Sequence, residues 1–221
     1  MRRRLAENAL FFREYLRNIH STGAILPSGR FLAAALSRFV AHGSTPLGPR
    51  KILEVGPGTG AVTRRIIALM RPADSLDLVE LNGTFVRQLQ CRFETEPPFR
   101  EVADRARVLH CPVEELPHDQ TYNVIVSGLP LNNFSAGVVE QILAALVGLL
   151  APGGTLSFFE YIAVRRARAL VSGRAERERL RGVGRAMRAV LDPYEIRRDA
   201  VWLNVPPAWV HHVQHQPQEA G

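Results

Sequence analysis

The chain has 221 residues and a formal net charge of +7, with 46% hydrophobic and 22% charged residues, an ordinary composition for one globular domain. Its longest apolar run, residues 142–151, is too short to cross a bilayer as a helix. The two cysteines, Cys91 and Cys111, lack the paired spacing of a disulfide scaffold, so a reduced cytosolic setting is expected.

Two segments hold most of the positive charge. The first twenty residues contain five arginines and two glutamates, and residues 164–188 contain nine arginines and two glutamates. The rest of the chain is mildly acidic. This distribution predicts an anionic partner, either a nucleic acid or an anionic membrane surface.

The N-terminal segment is predicted to be a basic amphipathic helix over residues 1–20. Leu5, Phe12, Leu16 and Ile19 recur at helical spacing, and arginines occupy much of the rest. Such a helix lies either in a membrane interface or against the protein, and the pattern allows both. A second helix over 31–42 and a linker over 43–50 follow, so residues 1–43 form an extension to a main domain over 44–221.

From residue 51 onward, predicted strands and helices alternate. The strands cover 51–56, 75–81, 106–111, 122–127 and 154–161, and the helices cover 60–70, 83–95 and 136–150. Continuous apolar strands separated by helices are typical of a parallel sheet covered on both faces. Residues 197–204 and 208–214 are predicted to pair and close one edge. The expected fold is therefore a mostly parallel seven-stranded α/β sheet.

The stretch ILEVGPGTGAVTRRI carries the strongest functional signal. A strand ends at the first of three glycines that allow a tight turn and close approach of a ligand: Gly56, Gly58 and Gly60. The pattern also fits a dinucleotide loop. Glu54 favours S-adenosylmethionine, because it could hold the methionine ammonium group, and Glu80 suits the two ribose hydroxyls. Alternatively, both are solvated carboxylates at strand ends.

This arrangement resembles the class I S-adenosylmethionine-dependent methyltransferases over residues 45–215. The resemblance implies a Rossmann-like fold, no metal, and cofactor contacts after each of the first four strands. In addition to Glu80, the residues that the resemblance implies for these contacts are Leu81, Val113, Glu114, Ser127 and Gly128. Members usually carry Gly-Asp-Ala after the third strand, where this chain has Cys111-Pro112-Val113. Glu114 and the Val113 amide are therefore expected to contact the adenine.

A closer resemblance is carried by FFREYLRNIHSTGAILPSGRFLA, VSGLPLNNF, FFEYIAVRRARALV and VWLNVPPAWVHHV. Together with the glycine motif, these stretches resemble the bacterial phospholipid N-methyltransferases, which convert phosphatidylethanolamine stepwise toward phosphatidylcholine. A related enzyme methylates ornithine lipids. The resemblance implies a monomer bound peripherally to the inner face of the cell membrane, with an aminolipid substrate and no nucleic acid. Ribosomal-RNA adenine methyltransferases have similar chains and are the main alternative.

The loop VSGLPLNNF separates these two readings. Nucleobase methyltransferases carry an Asn or Asp there and an aromatic ring beside the proline, on which the planar base stacks. This chain has Ser127 and Leu131 at those positions. Leu129 and Leu131 are predicted to line a narrow mouth for an aliphatic ammonium group. If the substrate is RNA instead, Phe134 becomes the candidate stacking residue.

The amine of a lipid head group must lose a proton before it can attack a methyl group. The candidates for holding or deprotonating it are Glu160 and Tyr161, at the end of the fifth strand, and Tyr15 of the N-terminal helix. Each could instead be a core or rim residue. Arg165 and Arg166, just beyond that strand, are predicted to bind the lipid phosphate. A non-catalytic membrane-binding protein on the same fold is a further alternative.

Overall fold

The computed structural model describes residues 29–42, 48–117, 119–162 and 173–214. The predicted N-terminal helix, with Tyr15, therefore lies outside the described residues, as do Arg165 and Arg166. Their predicted roles stay predictions.

Seven strands form one sheet in the order β3-β2-β1-β4-β5-β7-β6. They are β1 (Lys51–Val55), β2 (Ser75–Val79), β3 (Ala106–Leu109), β4 (Tyr122–Ser127), β5 (Leu150–Tyr161), β6 (Glu195–Val201) and β7 (Ala208–Gln214). The first five are parallel, and β7 pairs antiparallel with both β5 and β6. The predicted mostly parallel sheet with a closing hairpin is confirmed.

The described α-helices cover both faces of the sheet. They are α1 (Arg30–Leu36), α2 (Arg38–His42), α3 (Ala61–Ile67), α4 (Gly83–Thr95), α5 (Pro97–Arg100), α6 (Ala136–Gly148) and α7 (Arg174–Tyr194). One face packs against α6 and α7, and the other packs against α1 to α5. Each inner strand therefore has two apolar faces, which explains its continuous hydrophobic sequence.

One helix differs from its prediction, and another was not predicted. The predicted helix over 31–42 is interrupted at Ser37, whose hydroxyl donates a hydrogen bond to the Ala33 carbonyl at 2.8 Å. Such a bond competes with the helical backbone pattern. The basic segment contains the start of a helix that its charge pattern did not reveal: α7 begins at Arg174 and runs for 21 residues to Tyr194. This helix buries Leu180, Val183 and Met187 against the protein and turns arginines outward.

A buried ion pair fixes the start of the sheet. The Arg50 guanidinium donates to both carboxylate oxygens of Asp74, with Nη2 2.5 Å from Oδ2, and its Nη1 donates to the Val40 carbonyl at 2.7 Å. Both charged side chains are fully buried. Burial alone would raise the pKa of Asp74, but hydrogen bonds from Arg50 and the Arg71 amide lower it below its usual value. The pair connects α2 to the beginnings of β1 and β2.

Replacing Asp74 by alanine should lower the free energy of unfolding by about 3–5 kcal/mol, because the Arg50 charge would stay buried without its partner. Urea unfolding followed by circular dichroism measures this change. The matched control is Glu178→Ala, which removes an exposed ion pair with Arg174 on α7. That change should cost about 0.5 kcal/mol or less. Equal losses in the two variants would contradict the role given to Arg50 and Asp74.

Candidate active site

The glycine loop after β1 and the loop after β4 touch at the carboxyl edge of the sheet. The Gly128 amide donates to the Val55 carbonyl at 2.8 Å, and the Gly56 amide donates to the Val79 carbonyl at 2.9 Å. A Cβ atom on Gly128 would lie 2.7 Å from the Gly56 carbonyl oxygen. Glycine at position 128 is therefore required by contact between the two backbones, a reason that the sequence did not reveal.

Gly58 lies at the open side of the same loop. Its φ angle is +54°, and a Cβ atom there would have no neighbour within 4 Å. Its amide donates a hydrogen bond to Glu80 Oε2 at 3.1 Å. The positive φ angle favours glycine, and the free space above it is the volume that a ligand needs to approach the backbone.

Glu80 directly follows β2, and two backbone amides hold its carboxylate. Its Oε1 accepts from the Asn82 amide at 2.8 Å, and its Oε2 accepts from Gly58. Burial raises the pKa of Glu80, and these amide hydrogen bonds oppose the rise. Each carboxylate oxygen can accept more than one hydrogen bond, so two hydroxyl groups could still bind here.

Glu54 is 1% exposed, and its Oε2 has no hydrogen-bond partner among the described residues. Burial raises the pKa of Glu54 to about 8; Thr63 opposes this rise and the nearby Glu80 carboxylate adds to it. A buried carboxyl oxygen without a partner is costly unless a ligand satisfies it. The site therefore fits the methionine ammonium group that the sequence assigned to Glu54.

The remaining predicted cofactor residues lie at the ends of the next strands. Leu81 is half-buried, with its carbonyl oxygen 3.1 Å from His110 Nε2. Val113 is buried and Glu114 half-buried in a short 3₁₀ turn after β3, where burial raises the pKa of Glu114. Ser127 is buried, and its Oγ accepts from the Leu129 amide at 3.4 Å. The fold brings all these positions to the carboxyl edge of the sheet, and their individual ligand contacts stay predictions.

The loop after β4 differs from its predicted role at one position. Leu131 was expected to line the substrate mouth, but it is 0% exposed and packs in the core with Phe134, which is also 0% exposed. Neither side chain can touch a substrate in this conformation. Leu129 is also buried, at 6% exposed, and packs in the same core cluster and against Gly56, so its predicted place at the substrate mouth stays a prediction.

A basic side chain of α7 holds this loop in place. Arg179 donates from Nη1 and Nη2 to the Asn132 carbonyl, both at 3.1 Å, and from Nη1 to the Phe134 carbonyl. Its guanidinium also pairs with Glu176 at 2.7 Å. This contact could not be predicted from the sequence, because a run of arginines does not show which one turns inward.

Glu160 and Tyr161 end β5 at the same carboxyl edge, on opposite faces of the sheet. The Tyr161 ring packs against Phe159 with centroids 5.2 Å apart, and burial raises the pKa of Tyr161. Glu160 Oε1 lies 3.6 Å from His211 Nε2, and His211 Nδ1 lies 2.6 Å from Glu195 Oε1. Thus Glu160 begins a carboxylate–imidazole–carboxylate line centred on the buried His211, which could not be predicted from the sequence.

The adjacent histidine of β7 has a different role. His212 Nδ1 lies 2.8 Å from Ser157 Oγ, and its Nε2 lies 3.3 Å from Asp199 Oδ2. Burial lowers the pKa of His212 to about 4, against the attraction of Asp199. This imidazole is therefore neutral near pH 7 and acts as a structural hydrogen-bonding group. His211 Nε2, by contrast, accepts or donates no hydrogen bond among the described residues and has Glu160 Oε1 as its neighbour at 3.6 Å.

Two other features are absent from the described ranges. No group of three or more histidine, cysteine, aspartate or glutamate residues there is arranged to hold a metal ion. In the same residues, no helix is both long enough and apolar enough to span a membrane.

Comparison with known sequences points to methyl transfer. Residues 52–154 match the family described as "Methyltransferase domain". The chain is 25% identical over 148 residues to an ornithine lipid N-methyltransferase from Singulisphaera acidiphila, covering 67% of this chain and 74% of that protein. It is 35% identical over 99 residues to ribosomal RNA small subunit methyltransferase A from Synechococcus sp. strain CC9902. That match covers 45% of this chain and only 32% of the relative.

Solved structures share the fold at low sequence identity. The O-methyltransferase TomG from Streptomyces achromogenes, in complex with S-adenosylmethionine, has a TM-score of 0.59 and 13% identity, covering 96% of this chain and 89% of its own. TrmN from Thermus thermophilus has a TM-score of 0.56 and 17% identity, covering 83% and 48%. These structures agree with this chain in fold. The family match, the glycine loop and the two buried carboxylates then lead to one conclusion: the chain carries a class I S-adenosylmethionine-dependent methyltransferase domain.

Proposed function

We propose that this methyltransferase transfers methyl groups to the head-group amine of a membrane lipid, with phosphatidylethanolamine and its methylated intermediates toward phosphatidylcholine as the substrate class. An ornithine-lipid head group is the alternative within that class. The observation that carries the proposal is the loop after β4, which presents no aromatic face at the carboxyl edge.

A planar base needs a ring to stack on and acceptors for its amino group. Within residues 127–135, all of which the structure describes, the one aromatic side chain is Phe134, and it is fully buried. The hydrogen bonds from Arg179 to the Asn132 and Phe134 carbonyls hold it there. An aliphatic amine has no face to stack and needs only an apolar passage and an acceptor, so it can be bound beside a loop that exposes no ring.

The extent of the sequence matches supports the same choice. The match to the ornithine lipid N-methyltransferase extends over most of that relative, whereas the chain spans about a third of the ribosomal-RNA relative. Function depends on sites contributed by several parts of a chain, so the longer match is the more informative one.

S-adenosylmethionine supplies an electrophilic methyl group, and the protein has to bring an unprotonated amine in line with it. Glu160 is suited to accept the amine proton, because it lies at the carboxyl edge with His211 and Glu195 behind it. Tyr161, together with Tyr15, is proposed to face the methylated cation, which aromatic faces attract. Arg165 and Arg166 are proposed to bind the lipid phosphate.

The proposed partner is an anionic membrane. Cationic side chains near an anionic surface contribute about 1 kcal/mol each to binding, so two arginine-rich segments give reversible attachment of a monomer to the inner face of the cell membrane. Reversible attachment suits an enzyme whose substrate is in the membrane and whose cofactor is in the cytosol.

The glycine loop can be tested by adding a side chain at its open side. Gly58→Val should lower the affinity for S-adenosylhomocysteine by about tenfold or more, because the side chain enters the ligand volume and disfavours the positive φ angle. Isothermal titration calorimetry measures this. Gly148→Val is the matched control, since that position also has free space but lies at the far end of α6. Unchanged affinity in Gly58→Val would remove the loop from the cofactor site.

Glu54 should make cofactor binding depend on pH. Its pKa of about 8 means that the ligand-free protein holds a proton there at pH 7, whereas an ammonium group favours the ionised form. Binding below pH 8 then releases a proton. The affinity for S-adenosylhomocysteine should therefore rise between pH 6 and 8, by at most about tenfold per pH unit.

Glu54→Gln should weaken that affinity by about tenfold to a hundredfold and flatten its pH dependence. Glu115→Gln, an exposed carboxylate near the end of β3, is the control and should retain both. A variant at Glu54 that keeps the wild-type slope would place the titrating group elsewhere.

The substrate class can be tested by offering labelled S-adenosylmethionine with phosphatidylethanolamine vesicles, ornithine-lipid vesicles and ribosomal RNA in separate reactions. Transfer should occur to an aminolipid and remain at background with RNA. Glu160→Gln should lower turnover by about a hundredfold or more with unchanged cofactor affinity, because the amine keeps its proton. Glu140→Gln, exposed on α6, is the control. Methylation of RNA adenine without any lipid product would overturn the proposal.

A further inference from the structure

The hairpin tip between β6 and β7, residues 202–207, concentrates exposed apolar surface. Trp202, Leu203 and Val205 are 64%, 72% and 73% exposed, and they are the three most exposed large hydrophobic side chains of the described residues. All three lie within four consecutive positions. The tip contains no charged residue. Scattered apolar side chains are normal on a surface, but a cluster of this kind marks an interaction site.

The tip lies at the same edge of the sheet as the candidate active site. Since β7 runs antiparallel to β5 and β6 runs antiparallel to β7, β6 ends at the carboxyl edge. The Ile162 amide donates to the Pro207 carbonyl at 2.7 Å, which joins the tip to the residue after β5. Only β5 lies between β4 and β7, so with about 4.8 Å between neighbouring strands the β7 side of the tip lies roughly 10 Å from the end of β4.

Hydrogen bonds hold the tip in one shape. Asn204 is buried, its Nδ2 donates to the Pro206 carbonyl at 2.8 Å, and its Oδ1 accepts from the Gly29 amide at 3.3 Å. The apolar side chains on either side of Asn204 therefore point outward from a fixed loop. The Gly29 contact also brings the start of α1 against the tip.

The charges around the tip are positive. The Arg198 guanidinium lies 5.0 Å from the centre of the Trp209 ring, which contacts the Trp202 ring at 6.1 Å. The Arg30 guanidinium lies 4.7 Å from the ring of Phe31, beside Gly29. Both arginines are exposed. Asp199, the nearest acidic residue in sequence, already pairs with Arg38 and Arg197. Cations flanking a tryptophan-bearing apolar tip suit the head-group region of an anionic bilayer.

We propose that the hairpin tip, residues 202–207, inserts into the interface of an anionic bilayer and places the carboxyl edge of the sheet against the membrane. The choice of a bilayer rests in part on the proposed lipid substrate. It also follows from shape, because a projecting four-residue apolar tip is much smaller than the roughly 800 Å² per partner that a stable protein interface buries. The tip would bring an amine in the head-group layer to the end of β5 without removing the lipid from the bilayer.

The test uses the full chain and vesicles of phosphatidylglycerol and phosphatidylcholine, which contain no amine to be methylated. The double variant Trp202→Ser/Leu203→Ser should weaken co-sedimentation by about tenfold or more, because two apolar side chains lose their burial in the interface. Ile196→Ser is the matched control: it removes an exposed apolar side chain from the start of β6, the strand that leads to the tip, at the opposite edge of the sheet. It should bind vesicles as the wild type does.

A second measurement keeps the proposal testable if the double variant folds poorly. The chain has two tryptophans, so Trp209→Phe leaves Trp202 as the single emitter. On adding vesicles, its fluorescence should shift to the blue and be quenched by lipids brominated along their acyl chains. The same vesicles should leave a Trp202→Phe variant, whose emission comes from Trp209 in β7, largely unquenched.

Equal vesicle binding by the wild type and the double variant, or unquenched Trp202 emission in the bound protein, would overturn the inference. So would a change from dimer to monomer in sedimentation velocity with vesicle binding unaltered, because a second copy of the chain would then cover the tip. These outcomes are separate from the substrate question. Methyl transfer to phosphatidylethanolamine in detergent micelles tests the proposed function alone, and vesicles without an amine test the tip alone.

Discussion

The site depends on one close backbone contact, between the loops that follow β1 and β4. In the strand order β3-β2-β1-β4-β5, β2 and β3 lie on one side of β1, and β4 and β5 lie on the other side. At this point the loops diverge and leave a crevice for a ligand. A Cβ atom built on Gly128 would lie only 2.7 Å from the Gly56 carbonyl oxygen, so little room remains below the crevice. Side chains are excluded there, so that the ligand meets backbone and the carboxylates of Glu54 and Glu80.

Those two carboxylates are costly in the ligand-free fold, and their environments differ. Glu80 is satisfied by backbone amides of Gly58 and Asn82, so it is preorganised to accept hydroxyl groups. Glu54 has an oxygen without a partner and a pKa raised to about 8. Arg50 and Asp74 show the opposite solution at the other end of β1, where burial is matched by several hydrogen bonds. The buried pair at the amino edge of the sheet thus stabilises the fold, whereas the carboxylates at the carboxyl edge keep acceptors for a ligand.

The sequence predicted the parts that depend on local patterns. The helix over 83–95 and the strands over 122–127 and 208–214 have the predicted bounds, because apolar runs and capping residues define them directly. The break at Ser37 was missed, since a serine hydroxyl that bonds to its own helix leaves no periodic signal. Leu131 was misplaced because a loop sequence does not show which apolar side chains turn inward. His211 was missed because its partners, Glu160 and Glu195, are 51 and 16 residues away in the chain and meet it only through strand pairing.

The closing hairpin explains why chemistry and surface attachment would share one edge. If β6 and β7 were joined at the other end, an apolar tip would lie beside the starts of the parallel strands, far from any ligand. Because β7 enters antiparallel beside β5, the β6–β7 turn must lie beside the ends of β4 and β5. The same pairing brings His211 next to Phe158 and within reach of Glu160. One antiparallel strand therefore positions both the imidazole behind the proposed proton acceptor and the tip proposed to enter the bilayer.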